Sequence, residues 1–578
     1  MIHVDAITQN GTSSELSSSL IFSGLQNLRQ LALPLHITTV LTLFSAVWIG
    51  YHFFFHPLRN VPAPFSVKLG LGHFRAWHAW KRDYVWALSD LHERYGPTVR
   101  ISPWHISTIS QEAVSQIYAH GSKFHKSSFY TAFEAIPGQP SLFSDIDPHS
   151  HVERRRSIAS AYSMNHLLSL EEYVRPCVDK LVEKINSIIS KHSKFNASAN
   201  TTPSGRIQID KWAHFFAFDA VGELAFGQSF NLLEHASDPS QFMLGVANLS
   251  HFGAVSGSLP GMMFMRRWFR IDMYTIYSRL QAYFRKEPFG GQVVRQEAER
   301  RVQERFDTVK FGPSSIETTE MRPDLLSRFM AAKHSTMDTQ RAKQPFDFFD
   351  VLRMSLSIVG AASDTTSSFV TSFFVLLLRH PYIYERLQQE IDESFEEGRL
   401  ERENITYAQS VKLDYLQACI KETLRIAPPI SMSLPRIVPP QGMTINGTHI
   451  VGGATIGTAP YIFHRSPDAW GPDAAIYKPE RWLNLEDKER GRLERHFLSF
   501  GAGSRICIGK NISLMEISIL LPTLLASFRF SFTDGTKQNV RDIFRTADAK
   551  RRSDTWTGEY ESTWFLDARD VWLTVTKR

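Results

Sequence analysis

Phe500-Gly501-Ala502-Gly503-Ser504-Arg505-Ile506-Cys507-Ile508-Gly509 is the stretch on which the reading of this chain turns. Glycines ahead of a lone cysteine let the backbone approach something flat and close, in conformations open chiefly to glycine. Arg505 sets a fixed positive charge two residues from Cys507. Ile512 to Ala526 have helical composition, so the cysteine precedes a helix whose dipole and free amide groups favour its thiolate. An inert thiol in a structural turn is the plain alternative, and the ten-residue context disfavours it. A thiolate in such a loop, with an arginine near to pair a carboxylate, suits axial ligation of haem iron.

Upstream, Glu422-Thr423-Leu424-Arg425 sits on a predicted helix over Leu413 to Ile426, where i,i+3 spacing puts both charges on one face. Taken alone, that pair reads as a solvated helix contact worth a few tenths of a kcal/mol. Pro479-Glu480-Arg481-Trp482 lies between it and the cysteine loop. A long apolar helix from Val351 contains Ala361-Ala362-Ser363-Asp364-Thr365-Thr366. A carboxylate in such a run is costly unless it is hydrogen-bonded or faces a wet cavity, so Asp364 and Thr365 are functional candidates. The plain alternative has both threonines bonding back to helix carbonyls, and it fits Thr366 better than Thr365.

The cysteine stretch resembles the haem-binding signature of the cytochrome P450 family, F-x-x-G-x-R-x-C-x-G, at Phe500, Gly503, Arg505, Cys507 and Gly509. The other two motifs occur in the family's order, and the resemblance runs from about Pro57 to the end. It implies a mainly α fold with a small β part, one large domain, and haem b bound through an axial Cys507 thiolate. Glu422, Arg425 and Arg481 would form a buried, structural ionic triad. The family's oxygen-binding motif, A/G-G-x-D/E-T-T, makes Asp364 and Thr365 the catalytic pair that relays protons toward dioxygen. Ala362 departs from the usual glycine, and its methyl would crowd the oxygen groove. Haem propionates need cationic or donor partners; by resemblance these are Arg155, Arg436 and Arg505, with His151 where the family often has tryptophan. The substrate pocket would be lined by Phe129 to Phe143, Ser355 to Ala361 and Ile430 to Leu434, with a C-terminal turn near Trp556 to Phe565 closing it. Phe133, Ile358, Ala361, Ala362, Ile430 and Met432 are the expected contacts, all apolar, and each could equally be core.

The implied reaction is monooxygenation, with electrons from NADPH. Only 71 residues follow Cys507 and no nicotinamide fingerprint or flavin module is among them, so the partner is a separate NADPH-cytochrome P450 reductase, with cytochrome b5 as a further donor. Arg154, Arg156 and Lys510 are candidate docking charges. Arg154-Arg155-Arg156 and Ala161-Tyr162-Ser163-Met164 resemble filamentous-fungal members, the pisatin demethylase-like group included. That implies a lipophilic secondary metabolite as substrate, a terpenoid ahead of a polyketide or alkaloid. An oxygen-independent isomerase or dehydratase on the same fold is the competing reading, and it has no use for the Asp364-Thr365 pair.

Composition narrows the rest. The 578 residues carry 64 Lys+Arg against 58 Asp+Glu and only three cysteines, Cys177, Cys419 and Cys507. Widely spaced cysteines exclude a disulfide scaffold and a CxxC site, and mild charge disfavours nucleic acid. Ile37 to Phe55 is nearly all apolar, with Arg29 before it and Arg59 after, and ~20 such residues span a bilayer. The chain therefore divides into a polar tail (1–30), a transmembrane anchor (31–56), a stiff proline-rich hinge (57–66) and a haem-thiolate domain (67–578). Positive residues are denser after the span, which places the body in the cytosol and implies a single-pass protein of the endoplasmic reticulum. The Asn10-Gly11-Thr12 sequon would then be lumenal and open to glycosylation.

Overall fold

The computed structural model describes residues 36–136, 138–195, 204–259, 276–277, 279–280, 283, 291–311, 322, 324–334, 343–533 and 559–578. The polar tail with Asn10, residues 31–35 of the anchor and Trp556 lie outside them.

Helices dominate because apolar residues recur at helical spacing between well-marked ends. The run from Val351 forms one central helix, Phe348–Arg379, opened by a capping box in which Asp347 and Asp350 each accept the other's backbone amide. That arrangement satisfies two amides that the first turn leaves free. Pro381 starts the next helix, Pro381–Glu396, where its missing amide costs nothing. Tyr84–Tyr95 and Asp414–Ile426 are also helices. Two successive helices follow the arginine run, Met164–Ser169 and Glu171–Phe195. The Leu170 amide donates to Leu167 O and the Ser169 hydroxyl to His166 O, which closes the first helix in a tight turn. Polar composition does not prevent regular structure from extending into several segments. One helix runs on to Phe195, a strand begins at Ser204, the helix Gly291–Phe311 passes Thr308, and another strand occupies Glu559–Ser562.

The strands are short. A five-stranded sheet has the order Thr98–Ser102, His105–Thr108, Thr455–Gly457, Arg436–Ile437, His125–Lys126. In a three-stranded sheet Trp572–Lys577 lies between Ser204–Gln208 and Phe528–Phe532. Leu573 there pairs with both Ile207 and Phe532, and strand alternation buries Leu573 and Val575 together. Among the described residues two hairpins make up the rest of the β part, Met443–Ile445 with Thr448–Ile450 and Glu559–Ser562 with Leu566–Arg569. The central helix packs against Ile209–Phe226, Gly291–Phe311, Asp414–Ile426 and Lys510–Ser527, so the strongest apolar run sits at the middle of the core.

His36–Phe55 is a single helix whose last five residues widen into a π-helix. Its apolar side chains face outward, Val47 being 72% and Phe55 75% exposed, so it contributes no core and is a candidate membrane span. The central helix is longer and nearly as apolar, but most of it is buried in protein. The proline-rich stretch is not the extended hinge its composition suggests. Leu58 and Val61 are buried, the Arg100 amide donates to Pro62 O, and Arg100 Nη1 lies 3.0 Å from His56 Nδ1. Leu58 and Val61 join the apolar cluster that holds Ile106 and Val114, while the Pro62 carbonyl ties the stretch to the strand Thr98–Ser102.

Candidate active site

Cys507 lies between a 3-10 turn, Gly503–Arg505, and the helix Lys510–Ser527. Gly501 and Gly503 both have positive φ, +68° and +66°. A Cβ on Gly503 would come within 2.7 Å of the Tyr118 and Ala119 carbonyl oxygens, so only glycine lets the loop lie this close to the Gln111–Ile117 helix end. The Cys507 amide donates to Phe500 O at 2.8 Å and closes the loop. Burial pushes the Cys507 thiol up, while the Gly509 and Lys510 amides and Arg155 pull the other way. The helix-start amides are therefore present, but burial outweighs them in the protein alone; a coordinated metal ion deprotonates a thiol outright. Cys507 is accessible to solvent although protein surrounds it, as befits a side chain facing an internal cavity. Cys177 and Cys419 are plainly buried.

The central helix, which packs against the Lys510–Ser527 helix, has one face left open. Among its mostly buried residues Ile358, Ala361, Ala362 and Thr365 remain accessible, at the i, i+3, i+4, i+7 spacing of one helix face. A stripe left open on a helix covered elsewhere marks the side of a cavity. Phe133 and Ile430 are also partly accessible. Met432 is not: it is wholly buried and belongs to the core rather than to a pocket. The C-terminal turn folds over that segment, Ser431 N donating to Trp564 O and Ile430 bridging to Phe565. The same turn sets Trp564 against Phe129, Phe133 and Phe143, with ring centroids 5.7, 5.1 and 5.7 Å away.

Asp364 and Thr365 are adjacent in sequence, yet consecutive helix residues do not share a face. Thr365 lies on the open stripe, and its Oγ1 donates to Ala361 O at 2.8 Å. Back-bonding, which the sequence allows for Thr366, thus belongs to Thr365; Thr366 Oγ1 donates instead to Glu516 Oε2 at 3.2 Å. With its hydrogen committed, the Thr365 oxygen offers lone pairs to the cavity. Asp364 is buried, with Oδ1 3.8 Å from His214 Nε2. Burial first, then Asp567, pushes its carboxyl well above the usual range.

Arg155, Arg436, Arg505 and His151 share one neighbourhood with Lys126, which no motif marks. Arg155 Nη1 donates to Ile506 O at 2.9 Å, Arg505 Nη1 to Asp145 O at 2.7 Å, and Arg436 Nη1 to Tyr130 Oη at 2.9 Å. The buried Lys126 ammonium stands 4.2 and 4.5 Å from the Tyr130 and Phe143 ring centroids. Burial, with Arg436 and Arg505, pushes Lys126 well down; burial and the cations Arg505, Lys126, Arg155 and Arg154 hold His151 neutral, at about 3. Basic groups that converge here, with Lys126 and Arg436 buried and Arg155 and Arg505 partly so, are costly to charge together unless anions join them, and two carboxylates would satisfy this set. A solvent-accessible thiol within a glycine-built loop, an open helix face that includes Ala361 and Ala362, and a carboxylate-seeking cluster together fit a haem. Only the lysine's place among Phe124, Phe129 and Tyr130 hinted at its burial.

Beneath the loop, Arg425 Nε and Nη2 donate to Glu422 at 2.9 and 2.7 Å, and Arg481 Nε reaches it at 3.4 Å. Trp482 Nε1 also donates to Glu422, at 2.9 Å, a partner the motif does not reveal. Ser499 Oγ donates to Leu424 O at 2.7 Å and ties this helix to the cysteine loop. Of the candidate docking charges, Arg154 is engaged by Asp145 at 2.9 Å, whereas Arg156 is exposed.

Residues 66–548 match the family model for cytochrome P450, and the chain belongs to that family. It is 30% identical over 503 residues to the cytochrome P450 monooxygenase gsfF of Penicillium aethiopicum, covering 86% of this chain and 93% of that one. A cytochrome P450 monooxygenase of Aspergillus terreus is 31% identical over 82% of this chain and 90% of its own length. Pisatin demethylase of Fusarium vanettenii is 28% identical over 85% and 87%. The chain is thus a cytochrome P450 monooxygenase of the fungal type, with haem-thiolate iron as its cofactor.

Proposed function

We propose that this monooxygenase oxidises a lipophilic fungal secondary metabolite, a terpenoid or similarly apolar scaffold, from the endoplasmic reticulum membrane, with its body in the cytosol. Haem, held by Cys507, supplies reductive activation of dioxygen when bound. NADPH-derived electrons come from a separate reductase. Arg155, Arg436, Arg505 and His151 orient the cofactor through its carboxylates. Ile358, Ala361 and Ala362 hold the substrate by apolar contact and keep water from it. The Thr365 oxygen positions a proton donor at the cavity, and Asp364, whose burial favours the protonated acid, delivers protons from behind. The accessible apolar stripe on an otherwise buried helix is the observation that carries this reading.

The Phe129, Phe133, Phe143 and Trp564 cluster favours a second substrate class, a flat polyketide or alkaloid ring that can stack or meet ring edges. Deleting the gene in its native host and comparing metabolite masses tests both. The accumulated compound is expected to lack oxygen, or to carry two extra hydrogens, relative to the lost product. Accumulation of an isomer of the product would overturn the proposal.

A further inference from the structure

The central helix has a second polar face. Asp364 turns away from the Thr365 stripe toward His214, on the helix Ile209–Phe226, and is influenced by Asp567 and Arg569, on the strand Leu566–Arg569. His214 Nδ1 donates to Asp210 O at 2.8 Å. The neutral ring therefore keeps its lone pair on Nε2, the atom 3.8 Å from Asp364 Oδ1. Asp567 Oδ1 is buried with no hydrogen-bond partner among the described residues, a costly state for an ionised carboxylate. Burial pushes the Asp567 carboxyl up to about 6. Two carboxyls and an imidazole in so enclosed a space cannot all be charged at once.

The cluster also leads outward. Asp567 pairs across its hairpin with Glu561, whose Oε2 accepts from Arg82 Nη1 and Arg569 Nε, each at 2.9 Å. Arg569 is exposed. On the other flank Asp210 accepts from the Val571 amide at 2.9 Å and joins the hairpin's end to the His214 helix.

We propose that His214 and Asp567 form the route by which protons reach Asp364 from solvent, entering beside Glu561 and Arg569. The inference rests on the reading of Asp364 and Thr365 as proton handlers. Each step moves one proton and no electron. Asp364 gives its proton to a cavity water that donates to the Thr365 oxygen, and is left a carboxylate. Asp567 takes a proton from water at the hairpin and passes it, through an intervening water, to His214 Nε2, forming an imidazolium. His214 returns that proton to Asp364 and is neutral again.

The test uses the full-length, haem-loaded protein with Asp567→Asn, His214→Gln and Asp364→Asn. The infrared carbonyl stretch lost in Asp364→Asn identifies that acid, and its shift after transfer to heavy water times its proton exchange. Exchange is expected to slow about a hundredfold in Asp567→Asn and in His214→Gln, the lower end of what positioned proton-transfer groups contribute, and to recover in Asp567→Glu. The share of NADPH electrons ending as hydrogen peroxide should rise in the same two variants. Unchanged exchange in both would overturn the route. If exchange slows while Asp364→Asn leaves the peroxide share unchanged, the route stands and the reading of Asp364 and Thr365 is what fails.

Discussion

Glu422 and Arg425 face each other one turn apart on the same helix, both without accessible surface, with Arg425 Nη2 2.7 Å from Glu422 Oε1. Removing one member strands a buried charge, which costs about 3–5 kcal/mol. Glu422→Ala should therefore lower unfolding stability by that order, and the Ser499–Leu424 tie should carry the damage to the cysteine loop. Denaturant titration and the fraction of chains purified with haem would measure both effects.

Cys507→Ala should abolish the thiolate signature in the absorbance of the reduced, carbon monoxide-treated protein. Cys177→Ser and Cys419→Ser should preserve it, because those thiols are buried in core. Loss of the signature in either serine variant with the fold intact would contradict the assignment of Cys507.

Lys126 is the cation no motif predicts. If it neutralises a cofactor carboxylate, Lys126→Met should speed haem transfer to an acceptor protein by about tenfold, the equivalent of one charge-assisted hydrogen bond. Circular dichroism should be unchanged.

Glu516 gives stability a pH dependence of predictable sign. Burial pushes its carboxyl up to about 8 from an ordinary 4.5. Between those values the folded protein keeps a proton that the unfolded chain has released. Stability therefore falls as pH rises through the window and is least above it. Glu516→Gln should flatten that slope and be the more stable protein on the alkaline side by roughly 2–4 kcal/mol. Thermal midpoints across the window would show it.

The helical class and the cysteine loop were legible because each rests on local chemistry. Glycines at Gly501 and Gly503, a cap at Asp347 and the apolar run from Val351 leave little choice of backbone. Side-chain direction was less legible. Nothing local says that Asp364 and Thr365 point to different faces, that Thr365 rather than Thr366 bonds back along the helix, or that Met432 is sealed in. Those outcomes depend on what packs against each residue from distant parts of the chain. Lys126, His214 and Asp567 escaped notice for the same reason: single residues from three separate elements carry no spacing pattern. The proline-rich stretch misled because its apolar residues, Leu58 and Val61, matter more than its prolines.

The central claim is that this chain transfers one atom of dioxygen to a lipophilic metabolite. Its most direct test incubates the full-length protein, a cytochrome P450 reductase and NADPH with extract from the gene-deleted strain under isotope-labelled dioxygen. The account predicts that the accumulated precursor is consumed and that the product, or the fragment released from it, carries one labelled oxygen per turnover. Conversion to an unlabelled isomer, independent of NADPH, would contradict it.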